Sequence, residues 1–99
     1  MAQGQIKAKQ MARNMSALGH PPISEPEGWA VRFPIVDDYS LSVSYNSELP
    51  DGVLETALFK GTQLVYEADA GYEDVCRMDD NVKSVLDELE RLKTWLQSR

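Results

Sequence analysis

Cysteine occurs once in the 99 residues, at Cys76, and histidine once, at His20. A lone thiol excludes an intramolecular disulfide and the cysteine framework that staples small secreted domains, so a reducing, cytoplasmic setting is the expectation. One imidazole and one thiol cannot close a four-ligand zinc site within one copy of the chain. No stretch approaches the roughly 20 apolar residues of a helical bilayer span. Residues 1–18 are interrupted by Lys7, Lys9 and Arg13, unlike the apolar core of a signal peptide, so no membrane association is expected. A phosphate-cradling glycine loop, a dinucleotide fingerprint and a nucleophile elbow are missing as well.

These scarcities bear on catalysis. His20 stands beside Pro21 and Pro22 with no nucleophile or carboxylate close in sequence, and a single base makes no catalytic constellation. Cys76 has Glu73, Asp74, Asp79 and Asp80 as neighbours, which raise a thiol pKa, and only Arg77 opposes them. The acidic run Asp69, Glu73, Asp74, Asp79, Asp80 lacks the alternating spacing and central glycine of a calcium loop, so it reads as solvated surface and helix cap. The expectation is a non-enzymatic chain without metal or cofactor.

What is present is enough for one hydrophobic core. Apolar residues make up 42% and charged residues 26%, ordinary globular usage that needs no metal or disulfide to fold. The net charge of −6 is unevenly spread. Residues 36 to 80 hold eleven carboxylates against Lys60 and Arg77, a local net of −9, whereas residues 1 to 35 carry four basic groups and two acidic ones. Such a middle segment repels nucleic acid phosphates at long range and attracts basic surfaces.

The periodicities place the elements. Met11, Met15 and Leu18, with Ile6 and Ala8, predict a helix over 3–18 that Gly19 and the following prolines terminate. The segment HPPISEPEG (20–28) reads as an extended linker, so residues 1–27 are expected to stand apart from an α+β domain over 28–99. Trp29, Val31 and Phe33 alternate as a first strand. Tyr39, Leu41, Val43 and Tyr45 alternate with Ser40, Ser42 and Ser44, which predicts a second strand with a core face and a serine ladder on the other. Pro50-Asp51-Gly52 reverses the chain into a third strand over 53–60, and Gly61-Thr62 makes a hairpin into a fourth over 63–68. Val75, Cys76 and Met78 allow a short fifth.

The C-terminal segment reads as a helix with Val82, Val85, Leu86, Leu89, Leu92 and Leu96 on one face, capped by Asp79 or Asp80, with Asp87 and Arg91 paired four residues apart. Laid on the sheet, it gives an antiparallel sheet of four to five strands covered by a C-terminal helix, preceded by the N-terminal helix and proline-rich linker. The same stripe also fits a short heptad seam, the basis for a possible homodimer through this helix.

The expected function is binding of another protein, one with a basic surface. The candidate contact residues are Asp69, Glu73 and Asp74 in a glycine-containing loop, the hydroxyls of Ser40, Ser42 and Ser44, and Trp95 as an apolar anchor. The alternative is association with nucleic acid through Lys7, Lys9 and Arg13 on the N-terminal helix; the acidic body makes direct nucleic-acid binding the weaker reading. In general character only, a small acidic chain without catalytic motifs resembles the accessory proteins with which phages and mobile elements bind and block host machinery.

Overall fold

The computed structural model describes residues 3–99. It contains helix α1 (Gln3–Ala17), strands β1 (Ala30–Pro34), β2 (Tyr39–Ser44), β3 (Val53–Lys60) and β4 (Gln63–Val65), a 3-10 turn at Ala68–Ala70, strand β5 (Cys76–Asp79) and helix α2 (Val82–Gln97). The chain is therefore α+β, with an antiparallel sheet of five strands, within the expected four to five. Among the described residues no helix is long and apolar enough to cross a membrane.

The sheet runs β1, β2, β3, with each neighbour antiparallel, and its last position is shared. β4 pairs with the C-terminal half of β3 (Leu58 to Val65, Lys60 to Gln63), while β5 pairs with the N-terminal half (Val53 to Asp79, Thr56 to Cys76). Since β2 occupies the opposite side of β3, the two short strands lie end to end along one edge. Residues 66–75 leave the sheet between them as an excursion. The predicted fourth strand over 63–68 thus ends early, at Val65.

Alternation sorts the side chains. Val31, Phe33, Leu41, Val43, Leu54, Thr56 and Leu58 are buried on one face, together with Tyr45 at the end of β2. Both helices cover that face. Val85, Leu89 and Leu92 of α2 join the same buried cluster as Ala8, Met11, Ala12 and Met15 of α1. Val85, Leu89 and Leu92, the middle of the leucine stripe, are thereby buried within one copy, while Val82 and Leu96 at its ends are only partly buried.

The expectation that residues 1–27 stand apart from the body does not hold. Ala8 and Met15 of α1 are fully buried. Gly4 lies so close to β2 that a Cβ on it would come within 2.1 Å of the Tyr45 carbonyl oxygen, an approach only glycine permits. Lys7 Nζ lies 3.9 Å from Asp80, which accepts the Tyr45 hydroxyl at 2.7 Å. The linker is also attached: Ile23 N–H donates to the Arg32 carbonyl at 2.9 Å, and Glu27 bridges to Ala30. Prolines stop the helix, yet they leave the chain free to turn back and pair along β1. Leu18, expected on the apolar stripe, lies past the end of the helix and is exposed.

Three local details depart from the reading of the sequence. Trp29 is 53% exposed although the ladder runs on through it, its carbonyl accepting the Tyr45 N–H at 3.0 Å; it lies beside Gly4 at the start of α1, at the margin of the covered face. The cap of α2 is Asn81, whose side chain accepts from Ser84 N–H at 2.8 Å; Asp80 is drawn away by Tyr45 and Lys7. Asp87 pairs with Lys83 at 2.7 Å, and Arg91 turns to Glu88 instead.

Candidate functional site

The excursion over 66–75 is built around one buried aromatic. Tyr72 is 1% exposed, and Glu67 and Tyr72 exchange backbone hydrogen bonds of 2.8 and 2.9 Å, which closes the segment into a small loop. Gly71, at φ 85, takes the left-handed conformation this reversal requires. Asp69 lies within the 3-10 turn, and Asp74 accepts the Val75 N–H at 2.8 Å.

Tyr72 fastens the loop to α2. Its hydroxyl donates to Glu88 Oε2, so Thr56 Oγ1 is the donor in the 2.9 Å contact with the phenol oxygen. Arg91 holds both oxygens of Glu88 at 2.7 and 2.8 Å. Burial pushes the Tyr72 phenol up, and its bond to Glu88 pushes it further. For Glu88, burial favours the neutral acid, but the hydrogen bonds from Arg91 and Tyr72 outweigh it and hold the carboxyl below its ordinary range. Cys76 is half-buried beside this group and donates to the Gly71 carbonyl at 3.1 Å; burial first, then Glu88, raise its thiol, with Arg91 opposing. Arg77, expected to be its counter-charge, lies 3.6 Å from Glu55.

With Tyr72 turned inward, the outward side of the excursion is open. Asp69, Glu73 and Asp74 are all exposed, and among the described residues none of them lies in an ion pair. Tyr66 is 62% exposed, with Val75 and Leu64 also open to solvent. Three apolar side chains thus accompany three free carboxylates along the split edge of the sheet. Reading the sequence missed Tyr66 and Val75, because the first was assigned to a continuous strand and the second to the start of another. The available signal was Tyr66 to Val75 itself, a segment with two tyrosines and four carboxylates around Gly71 that no strand period fits.

The other candidates fare unequally. The serine ladder is not an open face. Ser40 is 1% exposed with no partner for its hydroxyl, Ser44 donates to the Glu55 carbonyl, and only Ser42 is both half-exposed and free of a hydrogen bond among the described residues. Arg32 also crosses this face: it reaches from β1 across β2, its guanidinium 5.1 Å from the Phe59 ring, to the Gly61 carbonyl at 3.2 Å. Trp95 is half-buried against the core, with Arg99 stacked 4.5 Å from its ring. Lys7 is engaged by Asp80, which leaves Lys9 and Arg13 as the exposed cations of α1. His20 is exposed in its loop. Among the described residues no three His, Cys, Asp or Glu side chains are grouped closely enough to hold a metal ion.

No family model, curated protein or solved structure matches this chain. The functional reading therefore rests on geometry and charge.

Proposed function

We propose that this chain is a non-enzymatic binding protein that docks on a basic surface of a partner protein through the outward side of the 66–75 excursion. The observation that carries the reading is the pairing of three exposed, unpaired carboxylates (Asp69, Glu73, Asp74) with Tyr66, which is 62% exposed. Tyrosine is a favoured interface anchor: it buries a large apolar ring at little entropic cost, and its hydroxyl still finds a partner. The carboxylates raise the rate of encounter with a basic groove and set orientation.

The excursion is also held in place before binding. Tyr72, Glu88 and Arg91 fix its base to α2, so little ordering entropy remains to be lost on docking. Occupation of a basic groove excludes whatever anion that groove ordinarily takes, and binding then acts as inhibition.

Capture from a lysate of the native source tests this. Wild type should retain a protein that moderate salt releases, and a variant carrying Tyr66→Ala, Asp69→Asn, Glu73→Gln and Asp74→Asn should not retain it. Equal retention by the two would place the contact elsewhere.

A further inference from the structure

The edge of the sheet opposite the excursion has the complementary character. Between α1 and the linker lies an open groove of about 790 Å³. Lys9 and Arg13 stand one helical turn apart on its helical wall, both exposed, and neither lies in an ion pair among the described residues. Pro21, Pro22 and Ile23 form the facing wall, where Ile23 is 53% exposed. Glu25 is the one carboxylate among the lining residues. The linker is tied to β1, the first strand of the sheet, and β4 and β5 form the last position. Each copy therefore presents a basic, proline-walled groove on one edge and an acidic, tyrosine-bearing loop on the other.

We infer that the groove between α1 and the linker receives the 66–75 excursion of a second copy of this chain. Lys9 and Arg13 would face Asp69, Glu73 and Asp74, and Tyr66 and Val75 would lie against Ile23 and the proline wall. The inference rests on the reading of the excursion as a docking surface and names an occupant for it. The contact is heterologous: a docked pair still has one free groove and one free excursion, so growth continues into a chain or closes into a ring.

Salt dependence separates this arrangement from nonspecific association. Each copy has a net charge of −6, so a uniformly charged particle would repel its twin and associate more readily as salt screens that repulsion. Complementary patches in contact predict the reverse. Sedimentation velocity over protein concentrations up to about 1 mM, between about 0.01 M and about 1 M salt, spans screening lengths from about 30 Å to about 3 Å. Wild type should form larger species at low salt and return to monomer at high salt.

Charge reversal then identifies the surfaces. Lys9→Glu with Arg13→Glu, and separately Asp69→Lys with Glu73→Lys and Asp74→Lys, should each weaken self-association by about tenfold or more, a change of about 1.4 kcal/mol. An equimolar mixture of the two variants should associate again, since each then offers what the other lacks. Lys83→Glu with Lys93→Glu alters net charge by the same amount as the groove variant and should leave association unchanged. All these positions are exposed, and the Asp74–Val75 and Lys83–Asp87 contacts they give up are surface ones, so melting temperatures should stay close to the wild-type value and report an intact fold.

The inference is overturned by a wild type that remains monomeric throughout, by association that strengthens with salt, by a mixture that fails to associate, or by a control as damaged as the groove variant. If self-association fails while a captured partner still depends on Tyr66 and the three carboxylates, the groove is empty of this occupant and the function proposed above stands. If capture is indifferent to those residues, that function falls instead.

Discussion

Tyr72 and Glu88 decide the shape of the candidate site although neither faces solvent with its polar end. Removing the hydroxyl in Tyr72→Phe takes a hydrogen bond from an ionised carboxylate and leaves Thr56 without its nearest partner. The expected cost is about 1–3 kcal/mol, measured by urea unfolding. Glu88 adds an acid dependence. Its carboxyl sits below its ordinary range in the folded chain, so the folded state favours the ionised form. That stabilisation is complete above the unfolded value of about 4.3 and is lost as pH falls through the lower, folded value. Between about pH 6 and about pH 3, wild type should lose stability more steeply than Glu88→Gln. Parallel curves would show that Arg91 and Tyr72 contribute nothing to ionisation at this position. None of this network was legible in the sequence: Thr56, Tyr72 and Glu88 are sixteen residues apart at each step, and only the sheet register and the helix placement bring them together.

At the scale of elements, reading and structure agree where a period is long and fail where a boundary or a docking contact decides. β3 spans the predicted residues 53–60, and its hairpin turns at Gly61 as the sequence indicates. The serine alternation located β2, yet it could not reveal that Ser40 is buried and that Arg32 crosses the same face to Gly61. Helix α1 was found, but its attachment was not, because a helix stripe does not state what it covers. Of the predicted stripe, Ala8, Met11 and Met15 are buried, joined by Ala12, while Ile6 and Leu18 are exposed, and the docked position has a measurable consequence. Met15→Ala should cost about 2–5 kcal/mol, as should Leu89→Ala in α2, since both lie in the buried cluster the two helices share. Ile6→Ala, at a site 42% exposed, should stay within about 0.5 kcal/mol. Gly4→Ala forces the start of α1 away from the Tyr45 carbonyl and should lower the melting temperature despite alanine's higher helix propensity. A wild-type melting temperature for Met15→Ala and Gly4→Ala would return α1 to the role of a detached arm.

For the molecule as a whole, the proposed function has charge rather than shape direct the encounter. Eleven of the sixteen carboxylates fall between residues 36 and 80, and the excursion presents three of them beside its exposed tyrosine. Composition made this imbalance visible from the start. The sequence also located Asp69, Glu73 and Asp74 in an open loop, while Tyr66 emerged only when the fourth strand proved to end at Val65. Long-range attraction acts on association more than on dissociation, and salt screens it. The most direct measurement is therefore the association rate of the captured partner across a salt series, for wild type and for Asp69→Asn/Glu73→Gln/Asp74→Asn. The variant should associate more slowly at low salt, with a flatter salt dependence and an unchanged melting temperature; a wild-type rate with a wild-type salt slope would contradict docking through the excursion.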